Sequence, residues 1–258
     1  MQQIARELWH FGIANARASQ FGAFLLAVFL VTELIAVPGL ARYDVIFLAA
    51  VAFQASALLF RFEGVREFAV ILIFHLLATL MELFKTHPDI ASWVYPGLPG
   101  TFFAIATIPL FTGFLYSAVG SYISRAFYFL RLRFEHFPAY YHLWVMAVLI
   151  YVNFFTHHYM LDIRYVLFAS VLFIFGKTRI YYQVYTKERA MPFLVAALLT
   201  AFFVWVAENV GTFTHIWLYP SQLHAWHLVS FAKIGSWFLL LMLSFALVSI
   251  IYRDKLRP

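Results

Sequence analysis

Long, nearly uncharged apolar runs constrain this chain more than any other feature of its sequence. Two examples are VIFLAAVAFQASALLF (residues 45–60) and FLVAALLTAFFVWVA (residues 193–207). Charged residues make up 12% of the 258 residues and hydrophobic residues 64%, with a mean hydropathy of +0.83. A soluble domain carries roughly 25% charged residues. We therefore predict an all-α, polytopic membrane helical bundle.

The number of spans follows from the length of the apolar runs. A spanning helix needs about 20 mostly apolar residues. Eight segments meet this criterion, the sixth being the shortest because Lys177 and Arg179 limit its end. They are residues 20–38, 43–61, 66–84, 101–124, 139–157, 162–177, 191–209 and 226–251.

The distribution of basic residues predicts the orientation, because cytoplasmic loops carry an excess of Lys and Arg. With the N-terminus inside, 14 of the 18 basic residues, including Arg257, lie on the cytoplasmic side. Arg42, Lys85 and Arg164 lie outside, and Lys233 lies within the last span. We therefore predict a multi-pass protein of the cytoplasmic (inner) membrane with both termini in the cytoplasm.

Repeated elements at nearly constant offsets predict an internal duplication. An Arg-Tyr pair precedes the second and sixth spans, and ELFKTHPDIASWVYP (residues 82–96) resembles ENVGTFTHIWLYP (residues 208–220). The two halves would be residues 1–130 and 131–258, each with four spans in the same orientation, as in parallel transporter repeats. Chance similarity is the alternative, since apolar sequences align easily.

The glutamates that begin the two motifs are the best candidates for catalytic groups. Glu82 and Glu208 lie near the ends of the third and seventh spans, on the predicted outer side. An ionisable group at the edge of the hydrocarbon is costly, so it usually faces a partner or a water-filled cavity. The simpler interpretation is a carboxylate that meets interfacial water. Its repetition with a Thr four residues later favours a function.

The remaining polar and aromatic residues of this face are candidates for substrate binding. Lys233 either extends towards water or pairs with a carboxylate. The Trp-x-Tyr-Pro ends have a second interpretation, which we favour, as aromatic anchors at the membrane interface. The full set of binding candidates is Arg42, Lys85, Asp162, Arg164, Asn209, Lys233, Trp93, Tyr95, Trp217 and Tyr219.

Histidines are concentrated on the predicted outer side, where imidazoles and carboxylates could bind zinc or iron. No HExxH or comparable ligand motif accompanies them, so we predict no metal site. Histidines that only meet water and headgroups are more common. The candidate ligands are His157, His158, His215, His224 and His227.

Several blocks resemble a known family over most of the chain. ELFKTH, SWVYP, IPLFTGFLYSAVGSYI, NFFTHHYMLDIRY and ENVGTFTHIWLYP are similar to the YoaT-like bacterial integral membrane proteins, a family of unknown function. A fainter resemblance is to the lycopene-cyclase-like membrane proteins of carotenoid biosynthesis. It implies matching positions at Glu82, Tyr95, Pro109, Leu110, Glu208 and Tyr219. The paired acidic motif of those enzymes is missing here.

Three functions remain open from the sequence. We favour a membrane-embedded enzyme that acts on a lipid or isoprenoid-type substrate by carboxylate acid/base chemistry, because the polar groups concentrate on one face. A proton-coupled transporter or permease of small molecules is the first alternative, and a non-catalytic scaffold is the second. The expected partners are membrane lipid and a hydrophobic small molecule. No nucleic-acid-binding motif accompanies the net charge of +6, and the sequence identifies neither a cofactor nor an oligomeric state.

Overall fold

The computed structural model of the protein describes residues 2–256. Met1, Arg257 and Pro258 lie outside the described residues. Arg257 is one of the basic residues that predicted the orientation, and Met1 and Pro258 are the outer ends of the two predicted repeats.

The described chain is mostly helical, with two small antiparallel sheets. Its helices are α1 (Gln2–Ala18), α2 (Gln20–Leu34), α3 (Arg42–Leu59), α4 (Val65–Lys85), α5 (Thr112–Phe129), α6 (Tyr140–Thr156), α7 (Arg164–Phe175), α8 (Phe193–Phe213) and α9 (Ala232–Ser249). Strands β1 (Ala104–Ile105) and β2 (Ile108–Pro109) form a hairpin. Strands β3 (Arg133–Glu135), β4 (Arg179–Val184) and β5 (Lys187–Pro192) form a three-stranded sheet in that order. Short 3-10 turns occur at Pro220–Gln222 and Arg253–Leu256.

Four of the described helices are long and apolar enough to cross a membrane, namely α3, α4, α8 and α9. Helices α1 and α2 meet the same criteria only as a pair, bent by 71° between them, which would make a fifth. Helices α6 and α7 are apolar but have 17 and 12 residues. At about 1.5 Å per residue, α7 is roughly 18 Å long, whereas the hydrocarbon core of a bilayer is about 30 Å thick. The prediction of a membrane protein with transmembrane helices is confirmed, whereas the number eight stays a prediction.

The predicted fourth span, 101–124, is wrong in its first half, because the helix begins only at Thr112. The preceding residues form the β1–β2 hairpin, in which Ala106 adopts a left-handed φ of 50°. The backbone N–H groups of Phe102 and Phe103 donate to the buried Asp44 carboxylate at 3.0 and 2.8 Å. The sequence of a short apolar run does not distinguish a buried hairpin from a helix. Here the hydrogen bonds to the Asp44 carboxylate of α3 favour the hairpin over a helix.

The last predicted span also begins later than expected. Helix α9 starts at Ala232 rather than at residue 226, so Lys233 is its second residue and not an interior one. The sequence did not predict helix α1 or the β3–β5 sheet. Both are too polar to resemble a span, and a search for long apolar runs does not detect them.

The chain divides into two compact units. The sheet unit comprises residues 2–20, 119–203 and 234–256 of the described chain, and the motif unit comprises residues 21–118 and 204–233. Phenylalanines pack together in the core of the sheet unit, for example Phe193 and Phe245 with ring centroids 5.0 Å apart. Phe21, Leu25, Ala50 and Ala118 form a buried cluster in the motif unit. The two units are defined by their compactness and do not test the duplication. The division into repeats at residues 130/131 therefore stays a prediction.

Candidate functional site

The first motif folds back over the end of α4. Thr86 donates its hydroxyl to the carbonyl of Glu82 at 2.8 Å, and Ala91 turns the chain with a left-handed φ of 42°. The Ser92 N–H then donates to the Lys85 carbonyl at 2.8 Å. The Lys85 carbonyl is one that the helix end leaves without a helical partner, and the bond to it helps to return the aromatic end of the motif to the glutamate that begins it.

The carboxylate of Glu82 accepts hydrogen bonds from three aromatic side chains. Trp93 Nε1 and Tyr95 OH donate to Oε2 at 2.9 and 2.7 Å, and Tyr116 OH of α5 donates to Oε1 at 2.7 Å. Glu82 is only 3% exposed. A buried carboxylate must replace its lost water with hydrogen bonds, and the ring side chains supply them.

The second motif repeats this arrangement at the end of α8. His215 follows the helix with a left-handed φ of 53°, and the Ile216 N–H donates to the Gly211 carbonyl at 2.9 Å. Tyr219 then donates its hydroxyl to the carboxylate of the buried Glu208. Each motif thus closes a loop in which an aromatic side chain reaches the glutamate at its start.

A backbone bridge joins the two motifs directly. Val94 and Leu218 pair in antiparallel fashion, each donating its N–H to the carbonyl of the other at 2.9 Å. The neighbouring rings of Trp93 and Tyr219 consequently meet edge to face, with centroids 6.2 Å apart. The bridge unites Glu82, Trp93, Tyr95, Tyr116, Glu208 and Tyr219 in one group within the motif unit, which we call the double-motif cluster.

Lys233 places a cation beside this cluster. Its Nζ lies 4.1 Å from the centroid of the Tyr219 ring and 5.8 Å from that of Trp93. An ammonium group over an aromatic face is attracted by the negative potential of the ring. The lysine therefore supplies positive charge beside two rings that donate hydrogen bonds to the buried carboxylates.

The preferred interpretation of the Trp-x-Tyr-Pro ends as interfacial anchors does not describe Trp93 and Tyr95. These side chains are 9% and 6% exposed and direct their polar atoms to Glu82. Trp217 is half-buried and packs closely on α8, where a Cβ at Gly211 would lie 2.3 Å from its ring. The rings belong to the interior of the motif unit.

The threonine four residues after each glutamate has a structural role. The Thr86 hydroxyl lies 2.6 Å from that of Thr107 in the turn of the β1–β2 hairpin. The Thr212 hydroxyl accepts a hydrogen bond from Trp226 Nε1 at 3.2 Å. Each threonine ties its helix end to a later segment of the chain.

Arg42 stabilises helix ends in the motif unit. Its guanidinium donates to Glu33 at 2.5 Å, to the Phe29 carbonyl at 2.9 Å and to the Thr214 carbonyl at 2.7 Å. The Thr214 carbonyl directly follows α8 and carries partial negative charge, which a cation complements. Arg42 thus holds the ends of α2 and α8 beside each other.

Two more predicted binding residues lie in the motif unit. Asn209 is buried, donating to the Trp205 carbonyl at 2.8 Å and accepting from the Val229 N–H at 2.9 Å. It therefore fixes the loop before α9. Lys85 is 4% exposed, in the last turn of α4.

Asp162 and Arg164 belong to the sheet unit. Arg164 Nε lies 2.5 Å from Asp162 Oδ2, and Asn153 Nδ2 donates to Asp162 Oδ1 at 3.4 Å. The two Arg-Tyr pairs also differ, since Tyr43 is buried and donates to the Ile216 carbonyl at 2.7 Å, whereas Tyr165 is exposed. The predicted set of site residues is therefore divided between two units.

The candidate histidines are dispersed. The rings of His157 and His158 lie beside each other at a tilt of 36° in the sheet unit, with centroids 4.1 Å apart, and His215 Nδ1 lies 3.2 Å from Glu33 in the motif unit. His227 bonds to backbone carbonyls, and His224 lies in the same exposed loop. Among residues 2–256, no three His, Asp or Glu side chains are grouped so that they could hold a metal ion.

Comparison with known proteins identifies the family. Residues 7–245 match the family described as "Protein of unknown function (DUF817)". The chain belongs to this family. It is 36% identical over 250 residues to a protein of Bacillus subtilis (strain 168) described as "Uncharacterized protein YoaT", covering 97% of this chain and 93% of that protein. No solved structure matches. The resemblance to the YoaT-like family is thus confirmed.

In this DUF817 protein, the double-motif cluster keeps its loop tyrosines protonated. Burial raises the pKa of Tyr95 well above its usual value of about 10, and the neighbouring Glu82 carboxylate raises it further. Burial and the Glu208 carboxylate do the same to the pKa of Tyr219. Both hydroxyls therefore remain hydrogen-bond donors to the carboxylates over the whole physiological range.

Sequence reasoning missed Tyr116 and Asp44 of this DUF817 protein. Tyr116 completes the shell of donors around Glu82, and Asp44 orders the hairpin that leads to α5. The available signal was a hydroxyl or carboxylate inside an apolar run, where a polar group needs a partner. Neither residue belongs to a repeated motif, and their partners are 34 and 58 residues away in sequence.

Proposed function

We propose that the protein is a membrane-embedded enzyme acting on a lipid or isoprenoid-type substrate, with the Glu82 and Glu208 carboxylates as acid/base groups. The observation that carries this proposal is the Glu82 carboxylate, which is buried and held by three neutral ring donors in the same cluster as a second buried carboxylate. Acid/base catalysis requires a carboxyl group held in position by its neighbours.

The roles within the cluster follow from its chemistry. Two carboxyl groups in unlike surroundings can divide the work, one holding a proton and the other accepting one. Glu82 has three ring donors, whereas Glu208 accepts from Tyr219, which carries Lys233 on its face. We assign to Lys233 the binding of an anionic headgroup of the substrate. Trp93, Tyr95 and Tyr219 supply an apolar wall for a hydrocarbon chain.

The test compares the lipid and isoprenoid content of cells that contain wild-type protein, Glu82→Gln or Glu208→Gln, measured by mass spectrometry. We expect each variant to accumulate one species and lose another. The matched control is Asp89→Asn, which removes one carboxylate from the first motif where the side chain is 85% exposed and pairs only loosely with His87 at 3.5 Å. Lipids that copurify with each protein are identified in parallel.

The amount and thermal stability of each purified variant separate a catalytic effect from a folding effect. A folded Glu82→Gln protein with an unchanged lipid profile, together with an unchanged Glu208→Gln profile, would refute the proposal. A profile altered equally by Asp89→Asn would refute it as well, because that residue lies outside the cluster.

One observation favours a second function, proton-coupled transport of a small molecule. Tyr116 OH bonds to Glu82, and the Glu208 and Tyr219 groups lie close enough to act electrostatically on the same hydroxyl. Such a series of carboxylates and hydroxyls is typical of proton pathways in transporters. Solute flux in proteoliposomes that requires a pH gradient and is lost in Glu82→Gln would favour transport over enzymatic turnover.

For the topology, we propose eight spans in two parallel four-helix repeats of an inner-membrane protein, with both termini in the cytoplasm. In this orientation, which rests on the distribution of Lys and Arg in the sequence, the loop before α8 lies in the cytoplasm and the loop after α4 lies outside. The chain contains no cysteine, which makes single-cysteine variants specific. We expect an impermeant maleimide to label Asp89→Cys in intact cells but not Glu188→Cys. Labelling of Glu188→Cys alone would reverse the orientation.

A further inference from the structure

Helix α1 exposes an apolar face that the rest of the sheet unit leaves uncovered. Ile4 and Leu8 are 62% and 66% exposed, and Trp9 beside them is 68% exposed. Gly12 and Ala16 continue the same face, because residues four apart lie above one another on a helix. A Cβ at Gly12 would have nothing within 4 Å. This open face spans most of the length of α1.

An adjoining face of α1 is fixed to the β4–β5 hairpin. Glu7 accepts from Arg189 at 2.5 Å, the His10 ring stacks on Tyr185 with centroids 4.8 Å apart, and Phe11 packs on Tyr182. Three charged residues and a histidine within 17 residues make α1 itself unsuited to the hydrocarbon core. The helix is therefore held in one orientation by a polar sheet while its apolar side remains open.

Basic residues are concentrated on α1 and on the elements packed with it, the β3–β5 sheet and the 3-10 turn at Arg253–Leu256. Arg6 and Arg17 are exposed on α1 itself. Counting α1, the β3–β5 sheet and the 3-10 turn at Arg253–Leu256, eight basic residues stand against four acidic ones, a net charge of +4. The basic residues are Arg6, Arg17, Arg133, Arg179, Lys187, Arg189, Arg253 and Lys255. We call the elements together the basic platform.

We propose that the basic platform binds anionic phospholipid headgroups, with α1 lying in the plane of the membrane surface. The exposed side chains of Ile4, Leu8 and Trp9 would enter the interface between headgroups and acyl chains, and Arg6 and Arg17 would contact lipid phosphates. An apolar helix face flanked by Arg, with a Trp at its edge, is the pattern of interfacial helices. Juxtamembrane basic clusters are attracted to anionic lipid.

Charge and apolarity together favour a lipid surface over other occupants. A nucleic acid would satisfy the arginines but leave Ile4, Leu8 and Trp9 in water. A second copy of this chain would bring the same positive charges against each other. An anionic bilayer surface presents negative charge and hydrocarbon at the same time.

The test uses purified full-length protein in detergent, titrated with dioleoylphosphatidylglycerol or dioleoylphosphatidylcholine and followed by native mass spectrometry. We expect tighter binding of phosphatidylglycerol. Arg6→Gln combined with Arg17→Gln should weaken that binding roughly thirtyfold, from the usual contributions of two basic residues near an anionic surface. Arg61→Gln combined with Arg66→Gln removes the same charge from exposed residues of the motif unit and serves as the control.

A second pair of variants tests the apolar face without removing any packing. Gly12→Glu places a carboxylate on the open face, and Gly12→Ala is its matched control, since both side chains have free space. We expect Gly12→Glu to weaken phosphatidylglycerol binding several-fold and Gly12→Ala to leave it unchanged.

Four outcomes would overturn the proposal. They are equal binding of phosphatidylcholine, an equal loss in the Arg61/Arg66 control, and a Gly12→Glu protein that changes its oligomeric state while retaining phosphatidylglycerol. The fourth is tight binding of a labelled oligoribonucleotide that the same α1 variants abolish, which would assign the platform to nucleic acid instead.

Discussion

Val94 and Leu218 exchange two backbone hydrogen bonds of 2.9 Å, although 124 residues separate them in sequence. Each residue is the centre of a Trp-x-Tyr-Pro motif. In an antiparallel pair the residues on either side of the bridge face each other, so the Trp of one motif meets the Tyr of the other. The two similar motifs of the sequence are thus segments that bind to each other.

The bond between Tyr116 and Glu82 should contribute measurably to stability. Tyr116→Phe leaves one carboxylate oxygen of a buried group without its donor, which costs about 1 to 3 kcal/mol. We expect a lower apparent Tm in detergent, measured by intrinsic fluorescence. Tyr128→Phe removes a hydroxyl from a 73% exposed tyrosine of the same helix and should leave Tm unchanged. An equal effect of both substitutions would contradict the role of Tyr116.

Gly211 is required for the approach of Trp217 to α8. A Cβ at this position would lie 2.3 Å from the indole ring, so Gly211→Ala should overpack the site and destabilise the protein by about 1 to 3 kcal/mol. The matched variant Gly22→Ala adds the same methyl group where no atom lies within 4 Å. It should be neutral or slightly stabilising, since Ala favours a helix over Gly. Equal thermal stability of the two variants would refute this packing argument.

The two Arg-Tyr arginines should respond differently to the same substitution. Arg42→Lys loses the planar fork that joins Glu33 to the Phe29 and Thr214 carbonyls, and we expect a cost of about 1 to 3 kcal/mol. Arg164→Lys alters an ion pair with Asp162 near the surface, where the cost is about 0 to 1 kcal/mol. Thermal unfolding of the two purified variants compares them. A larger loss for Arg164→Lys would show that the partners of Arg42 contribute little.

Stability should fall at alkaline pH because of Tyr95 and Tyr219. Their pKa values in the folded protein are raised above the unfolded value of about 10. Above that pH the folded state holds protons that the unfolded state has lost, so stability decreases as pH rises. We expect the tyrosinate absorbance of the native protein at about pH 11 to be smaller than that of the unfolded protein.

The variant Tyr95→Phe with Tyr219→Phe identifies the source of this effect. It should reduce the fraction of tyrosine that ionises only on unfolding, and it should flatten the decline of stability above about pH 10. A difference spectrum identical to that of wild type would exclude these two hydroxyls as its cause.

Sequence and structure agree where one signal is local and strong. The apolar runs that form α3, α4, α8 and α9 are visible in the sequence, because a bilayer requires about 20 consecutive apolar residues. Glu82 and Glu208 were likewise visible as repeated acidic residues at helix ends. The predicted helix over residues 101–111 failed because the Asp44 carboxylate, which orders the β1–β2 hairpin, lies in a different helix.

The sequence by itself determined a membrane protein with a repeated pair of acidic and aromatic motifs, because hydropathy and repetition are properties of the chain read in order. Only the tertiary structure decided that the aromatic ends turn inward to the glutamates and that Tyr116 joins them. It also assigned Asp162 and Arg164 to the other compact unit. Hydrogen bonds between distant residues depend on which helix ends meet, and no local pattern along the chain records that.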